Sequence, residues 1–191
     1  MAKYGARYIR WAPFASSNAE PDASLPKYGS GKVSLGELQR VTDSFSKEEV
    51  SMYGDDLLVE YLEEMTEYTV DVETAQLPFA TERSIYGIGG SGDLSYDTDD
   101  VPPWGGLSFV RSLIINGEKK WQGIYYPKVK AAVQGEEDAT KQKGMSFTGD
   151  KIHFVGTAAK NGVYKVKSEL KTDAATAQAW CDTQLAPPSQ Q

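Results

Sequence analysis

The clearest hydrophobic pattern in the chain is formed by two strand-like runs, Leu107–Ile115 and Glu118–Tyr126, which meet at Asn116-Gly117. Both runs are rich in aromatic and β-branched residues, which favour strands. Asn-Gly is the preferred filling of a two-residue type I′ turn, because both central residues must adopt positive φ. The pattern therefore predicts a β-hairpin. This hairpin carries no histidine and no obvious metal ligand, which favours a structural role over a catalytic one.

The rest of the pattern predicts further strands separated by turn residues. Leu57–Met65 fits either a strand pair or one helical turn. The other predicted strands are Lys32–Val41, Ser44–Tyr53, Tyr68–Glu73 and a second strand pair formed by Ser146–Val155 and Gly162–Ser168. The predicted fold is mainly β, an antiparallel β-sandwich or barrel-like sheet with one or two peripheral α-helices and extended arms or loops.

Two segments have helical character. Leu77–Tyr86 is predicted as a short helix with Pro78 in its first turn. A C-terminal helix is predicted near residues 173–185, with Thr172 or Asp173 as its N-cap. The predicted connecting loops are Gly87–Asp100 and Gln134–Gly144.

The chain is expected to form one domain with an arm. Residues 1–32 mix aromatic residues with Pro, Gly, Ser and Asn, which predicts an N-terminal arm or long loop rather than a core element. Residues 33–186 are predicted to form the β-sandwich domain, and residues 187–191 a frayed tail.

Composition narrows the functional classes. The formal net charge of −7 argues against passive adhesion to nucleic acid or to an anionic membrane. No apolar run approaches the roughly 18–20 residues that span a bilayer. The single cysteine, Cys181, excludes an internal disulfide framework and fits synthesis in a reducing cytosol.

The charges are divided between two parts of the chain. Glu48–Glu82 contains eleven acidic residues and no Lys or Arg, whereas Arg111–Lys171 contains twelve Lys or Arg and six acidic residues. Both stretches fit ordinary solvated faces. They also fit two surfaces of opposite charge that meet in an assembly.

No motif in the sequence meets the requirements of a catalytic, cofactor or metal site. Gly87–Gly92 matches the dinucleotide-binding fingerprint, but the residues after it cannot form the required helix. The acids from Asp97 to Asp100 lack the spacing of a calcium loop. His153 is predicted as a half-buried, hydrogen-bonded strand residue without companion motifs. Adjacent acids such as Glu63-Glu64 point apart on a strand, which does not suit a glycosidase.

Five blocks, taken in order, resemble one family. They are KYGARYIRWAPF at Lys3–Phe14, LPKYGSGKV at Leu25–Val33, YGDD at Tyr53–Asp56, the central hairpin block Asp100–Ala132, and KGMSFTGDKIHFVGTA at Lys143–Ala158. In this order and spacing the chain resembles the major tail proteins of long-tailed, non-contractile bacteriophages, which form the tail tube.

The resemblance implies a structural virion protein that forms stacked hexameric rings, the conduit for DNA ejection. The implied fold is a β-sandwich with a flanking helix, whose inner sheets join between subunits into a continuous barrel. The implied partners are further copies of the chain, a tape-measure protein, tail-terminator and tail-tip proteins, and passing viral DNA without specific binding. The protein would be made in the host cytoplasm and reside in the virion, with no membrane partner, no cofactor and no catalytic role.

Two sets of residues are candidates for these roles. Because a DNA conduit should repel phosphates, part of the acidic run is expected to face the lumen: Asp55, Asp56, Glu60, Glu63, Glu64 and Glu67. Contacts between subunits or rings are expected at Tyr4, Tyr8, Trp11, Phe14, Tyr28, Trp104, Lys141 and Lys143. The alternatives are a tail terminator or completion protein that forms a single ring, a monomeric β-sandwich carbohydrate-binding module, and a glycosidase-like hydrolase.

Overall fold

The computed structural model describes residues 2–16, 19–20, 24–54, 57–90, 92–135 and 149–187. Strands hold 51% of the described residues and helices 12%, which confirms a mainly β fold. In chain order the elements are β1 (Ala2–Pro13), β2 (Val33–Ser34), β3 (Leu38–Gly54), β4 (Leu57–Thr74), α1 (Phe79–Tyr86), β5 (Gly105–Ile115), β6 (Glu118–Ala132), β7 (Asp150–Gly156), β8 (Val166–Lys167) and α2 (Ala174–Gln184).

All eight strands in the described part of the chain belong to one antiparallel sheet with sandwich-like packing. The strand order is β2-β1-β5-β6-β7-β4-β3, and β8 pairs with β6. The described strands at the two ends of this order are β2, which has only two residues, and β3, which has 17.

The central hairpin forms as the sequence predicts. Strands β5 and β6 pair from Gly105↔Val129 to Ile115↔Glu118. Between them, Asn116 has a φ of 51° and Gly117 a φ of 82°. Both values are positive, as a type I′ turn requires.

The N-terminal segment differs from its prediction as an arm. Ala2–Pro13 forms β1, a strand of the sheet that pairs with β5. Ile9 and Trp11 are fully buried there. Tyr8, with a φ of 60°, lies where the register of β1 shifts, as in a β-bulge. The bulge breaks the alternation of polar and apolar residues, which is why the pattern does not reveal the strand.

The second difference is the length of the β3–β4 hairpin. Ser44–Tyr53 and Tyr68–Glu73 are parts of two long strands that pair from Leu38↔Thr74 to Gly54↔Leu57. Leu57–Met65 therefore belongs to a strand and does not form a helical turn.

The predicted pairing of the last two strands is wrong. β7 lies between β4 and β6, and β8 pairs with β6. The intervening Gly162 has a φ of 79°, and its amide donates to the carbonyl of Ala159 in a local turn that leads away from β7. The predicted loop Gln134–Gly144 lies largely outside the described residues, as do the first residues of the predicted strand Ser146–Val155.

Both helices occupy the predicted places. Pro78 is the N-cap residue of α1 and so precedes its first turn. Asp173 caps α2 by accepting a hydrogen bond from the backbone amide of Thr176 at 2.7 Å. Of the predicted tail, residues 188–191 lie outside the described part of the chain.

Apolar residues are buried on both faces of the sheet. The largest core cluster includes Trp11, Tyr68 and Phe154 on one face. Helix α2 covers the other face, where a Cβ atom at Gly123 would lie 2.4 Å from the ring of Trp180. The absence of a side chain at Gly123 therefore lets the helix lie directly on the β5–β6 hairpin.

Candidate self-assembly site

The far part of the β3–β4 hairpin extends past β7, the strand that pairs with the base of β4. We call its residues 47–54 and 57–65 the ribbon. β7 pairs with β4 only from Tyr68 to Thr74, so among the described residues the ribbon has no third strand on either edge. At about 3.3 Å per residue, each strand of the ribbon is roughly 25 Å long. A two-stranded hairpin is marginally stable in water, and unpaired edges readily pair with another chain.

A bulge marks the base of the ribbon. The register changes from Ser46↔Glu67 to Lys47↔Met65, which leaves Thr66 as an extra residue in β4. The Thr66 hydroxyl donates to the carbonyl oxygen of Ser46 at 3.3 Å. Because a bulge bends its strand and increases its twist, this residue sets the direction in which the ribbon leaves the sheet.

One face of the ribbon combines exposed apolar side chains with glutamates. Cross-strand partners lie on the same face of a hairpin, so the register assigns three pairs to what we call the outer ribbon face: Glu48↔Glu64, Val50↔Leu62 and Met52↔Glu60. Val50, Met52 and Leu62 are 64%, 55% and 60% exposed. Three adjacent apolar side chains with this exposure on a protruding element form a patch suited to a partner.

The glutamates of the outer ribbon face repel one another electrostatically. Glu48 lies directly opposite Glu64, an arrangement that destabilises an isolated hairpin. In the part of the chain that the structure describes, neither of these residues nor Glu60 has a cation within ion-pair distance. Their charge is therefore available to a second molecule.

On the opposite face of the ribbon, polar side chains pair with one another. Lys47 forms an ion pair with Glu63. The pKa of Tyr61 is raised, by desolvation and by its hydrogen bond to Glu49. Met65 packs against the main core cluster. The two faces of the ribbon thus differ, and the outer one is left for contact.

A polar cluster anchors the hairpin to the body just before the ribbon begins. Asp43 on β3 forms an ion pair with Lys165 and accepts a hydrogen bond from the Tyr126 hydroxyl at 3.0 Å. The Lys165 ammonium also lies 5.4 Å from the centre of the Phe45 ring. Burial opposes ionisation of both partners, yet the ammonium holds the pKa of Asp43 below its usual range, whereas burial lowers the pKa of Lys165.

The predicted lumen residues do not share one face. Glu60 and Glu64 belong to the outer ribbon face, whereas Glu63 lies on the opposite face with Lys47. Glu67 is exposed at the base, opposite Ser46. The remaining two, Asp55 and Asp56, lie outside the described residues.

Two predicted contact residues are core residues, and for them the prediction is wrong. Trp11 and Tyr28 are both 0% exposed. The Tyr28 hydroxyl donates to the carbonyl oxygen of Pro127 at 2.7 Å and contacts the hydroxyl of Tyr125. Large aromatic residues serve cores and interfaces equally well, so composition alone did not distinguish the two.

The other predicted contact residues occupy different surfaces. Tyr4 is 68% exposed, and the Tyr8 hydroxyl donates to Asp182 of α2 at 2.7 Å. Phe14 and Trp104 line an open cavity of about 370 Å³. The last two, Lys141 and Lys143, lie outside the described residues.

The sequence reasoning missed a surface that we call the cationic patch, formed by Tyr4, Arg7, Ile114, Lys119 and Trp121. The Arg7 guanidinium lies 4.0 Å from the centre of the Trp121 ring. The Lys119 ammonium lies 4.6 Å from the same ring and 5.3 Å from that of Tyr4. Ile114, 39% exposed, is the cross-strand partner of Lys119. The alternation along β6 places Lys119 and Trp121 on one face, and this was the available signal.

Motifs that could carry other chemistry have structural roles. Gly87 ends helix α1 with a φ of 69°, whereas a dinucleotide fingerprint would begin a helix. The Nδ1 atom of half-buried His153 lies 2.6 Å from a carboxylate oxygen of Asp71, which confirms a hydrogen-bonded strand histidine. The described residues contain no group of three or more His, Cys, Asp or Glu side chains placed to hold a metal ion. Neither described helix has the length and apolar character to cross a membrane.

Comparison with protein-family models and with curated protein sequences gave no match to this chain.

Proposed function

We propose that the protein is a structural virion protein whose copies assemble through the ribbon into stacked hexameric rings, forming a phage tail tube. The observation that supports this most strongly is the ribbon itself, which continues past the last residue pair with β7 and exposes Val50, Met52 and Leu62. Exposed apolar side chains and unpaired strand edges destabilise an isolated subunit, and a partner that covers them removes this destabilisation.

The open sheet edges support the same proposal. β3 pairs with another described strand along one edge only. On β1, the pairing with β2 covers Arg10 and Trp11, and Ala2–Ile9 have no second described partner strand. Copies that join such edges head to tail form rings if the rotation closes, and further contacts along the axis stack the rings.

The proposed conduit role depends on charge and on the family resemblance. A chain with a net charge of −7 repels DNA phosphates rather than holding them. The proposed partners are further copies, a tape-measure protein, terminator and tip proteins, and passing DNA. The proposed location is the virion, after synthesis in the host cytoplasm.

One observation favours the carbohydrate-binding alternative, namely the cavity beside Trp104. The Lys128 ammonium lies 5.2 Å from the centre of this ring and forms an ion pair with Glu20 at 2.8 Å. A sugar that stacked on this side of the indole would have to displace the ammonium. The cavity therefore supports ligand binding less strongly than the ribbon supports self-assembly.

Electron microscopy of the purified chain tests the proposal. The matched control is a shortened chain in which residues 48–64 are replaced by Asn-Gly, which joins Lys47 to its cross-strand partner Met65. We expect the full chain to form tubes. The shortened chain should stay monomeric and keep the far-ultraviolet circular dichroism signal per residue of a folded protein. Isolated rings would favour the terminator alternative. A full chain that stays monomeric at high concentration, or a shortened chain that assembles equally well, would contradict the proposal.

A further inference from the structure

The outer ribbon face and the cationic patch are complementary in charge and in apolar character. The ribbon face offers Glu48, Glu60 and Glu64 beside three exposed apolar side chains. The patch offers Arg7 and Lys119 beside Tyr4, Ile114 and Trp121. Each surface therefore has an apolar centre with charges of a single sign.

We propose that the outer ribbon face of one copy binds the cationic patch of a second copy. This inference rests on the proposed function, because it names the partner surface for the ribbon in the self-assembly described above. It makes the contact heterologous, with different surfaces on the two subunits. Contacts of this kind repeat from copy to copy and generate rings or filaments.

The topology separates the two surfaces within one chain. The patch lies on β1, β5 and β6, whereas the ribbon is the far end of β3 and β4, with β7 between the two groups. Neither edge of the ribbon pairs with a described strand, and its outer face is exposed within one chain. A second copy is therefore the partner that lets the two surfaces meet.

The patch cations are positioned to receive carboxylates. The Arg7 guanidinium lies 4.0 Å from the centre of the Trp121 ring, and its planar fork of N–H donors matches the geometry of a carboxylate. Lys119 lies between two aromatic rings, at 4.6 Å and 5.3 Å from their centres. Among the described residues, neither cation has a carboxylate within ion-pair distance. A glutamate of the ribbon would form the first ion pair that each makes.

The apolar parts of the two surfaces determine how strongly they bind. Exposed ion pairs contribute little on their own, whereas Val50, Leu62 and Met52 each expose more than half of their surface to a partner. Trp121 and Ile114 supply a matching apolar surface between the cations. We therefore expect the apolar contact to provide affinity and the charges to provide orientation and salt dependence.

Charge reversal in both directions tests the proposal by sedimentation velocity. The ribbon variant is Glu48→Lys with Glu64→Lys, and the patch variant is Arg7→Glu with Lys119→Glu. Each is expected to weaken self-association by about tenfold or more, because two attractive pairs become repulsive. The chain that carries all four changes is expected to recover association to within about threefold of the original, because the attraction is restored with opposite signs.

A matched control and a second measurement keep the outcomes distinct. Glu49→Lys changes the same charge on the opposite face of the ribbon and is expected to leave association nearly unchanged. A chain with Leu62→Cys and Ile114→Cys is expected to form disulfide-linked oligomers under mild oxidation. Failure of the fourfold variant to recover, together with no cross-linking, would overturn the proposed contact even if the ribbon-shortened chain still fails to assemble. If the unchanged chain does not associate at all, the proposed function itself is contradicted.

Discussion

Replacement of Trp11 by alanine distinguishes a core residue from an interface residue. The side chain is 0% exposed and belongs to the main core cluster. A Cβ atom at Gly105 would lie 2.6 Å from the Trp11 ring, so the indole rests directly on the backbone of β5. Trp11 is also the cross-strand partner of Leu107. Removing the indole leaves a cavity at the centre of the sheet that the neighbouring strands cannot fill.

The expected cost follows from this burial. Truncation of a buried tryptophan to alanine costs about 3–5 kcal/mol of unfolding free energy. This is a large part of the roughly 5–15 kcal/mol that stabilises a typical domain. For a chain of this length, 1 kcal/mol shifts the melting temperature by about 2–4 °C. Trp11→Ala should therefore lower the melting temperature by roughly 6–20 °C.

Trp121→Ala is the matched control, because Trp121 is half-buried and contacts both cations of the patch. Its truncation should cost about 1–2 kcal/mol of stability, from two cation–π contacts and part of the indole surface. It should nevertheless weaken self-association more than Trp11→Ala does. Urea unfolding at low protein concentration gives the stability, and sedimentation velocity gives the association. If Trp11→Ala melts within about 2 °C of the original chain while association is lost, our assignment of Trp11 to the core is wrong.

Three further predictions concern the folded subunit. Gly117→Val should cost about 1–2 kcal/mol in urea unfolding, because Gly117 has a φ of 82°; an equally stable variant would contradict the type I′ turn. The thiol of buried Cys181, whose pKa is raised to about 12 by burial, should not react with a disulfide reagent at pH 8 until the chain unfolds; rapid labelling of the native chain would refute its burial. The lowered pKa of Asp43, paired with Lys165, contributes stability that is fully present above the unfolded value of about 3.9 and lost as pH falls through the lower folded value. The stability difference between the original chain and Asp43→Asn should therefore shrink between pH 7 and roughly pH 3, and a constant difference would count against the ion pair.

Local chemistry made part of the fold predictable. Asn116-Gly117 specified the central hairpin because few residue pairs tolerate two positive φ values, and the structure has both. Asp173 specified the start of α2 for a similar reason, since its carboxylate satisfies an otherwise unpaired helix amide. In both places a single short motif was sufficient.

Tertiary contacts decided what the sequence pattern missed. Residues 2–13 were not predicted as a strand because the bulge at Tyr8 interrupts the alternation of polar and apolar residues. Their partner strand β5 also lies about a hundred residues further along the chain, so no local signal indicates the pairing. One strand of the ribbon was predicted within Ser44–Tyr53, whereas Leu57–Met65 stayed ambiguous because glutamate-rich segments have low strand propensity. The pairing of these two segments continues past the last residue pair between β4 and β7.

The candidate site was likewise predicted only in part, because its geometry depends on strand register and burial. The acidic run in Glu48–Glu82 was recognised as a charged surface, but the separation of its glutamates between two ribbon faces depends on register. Aromatic residues were recognised as contact candidates, but burial assigns Trp11 and Tyr28 to the core. The cationic patch combines residues from three strands, and the local alternation along β6 groups only two of them, Lys119 and Trp121.

The central claim is that copies of the chain assemble through contacts made by the ribbon. Hydrogen exchange of the ribbon amides tests this claim most directly. The comparison is between assembled protein and subunits kept dissociated by dilution, with the amides of the β5–β6 hairpin as an internal reference. We expect the amides of Lys47–Tyr53 and Leu57–Met65 to exchange at least about tenfold more slowly in the assembly, since a bound partner suppresses local opening. Equal exchange in the two states, with assembly verified by sedimentation, would contradict the account.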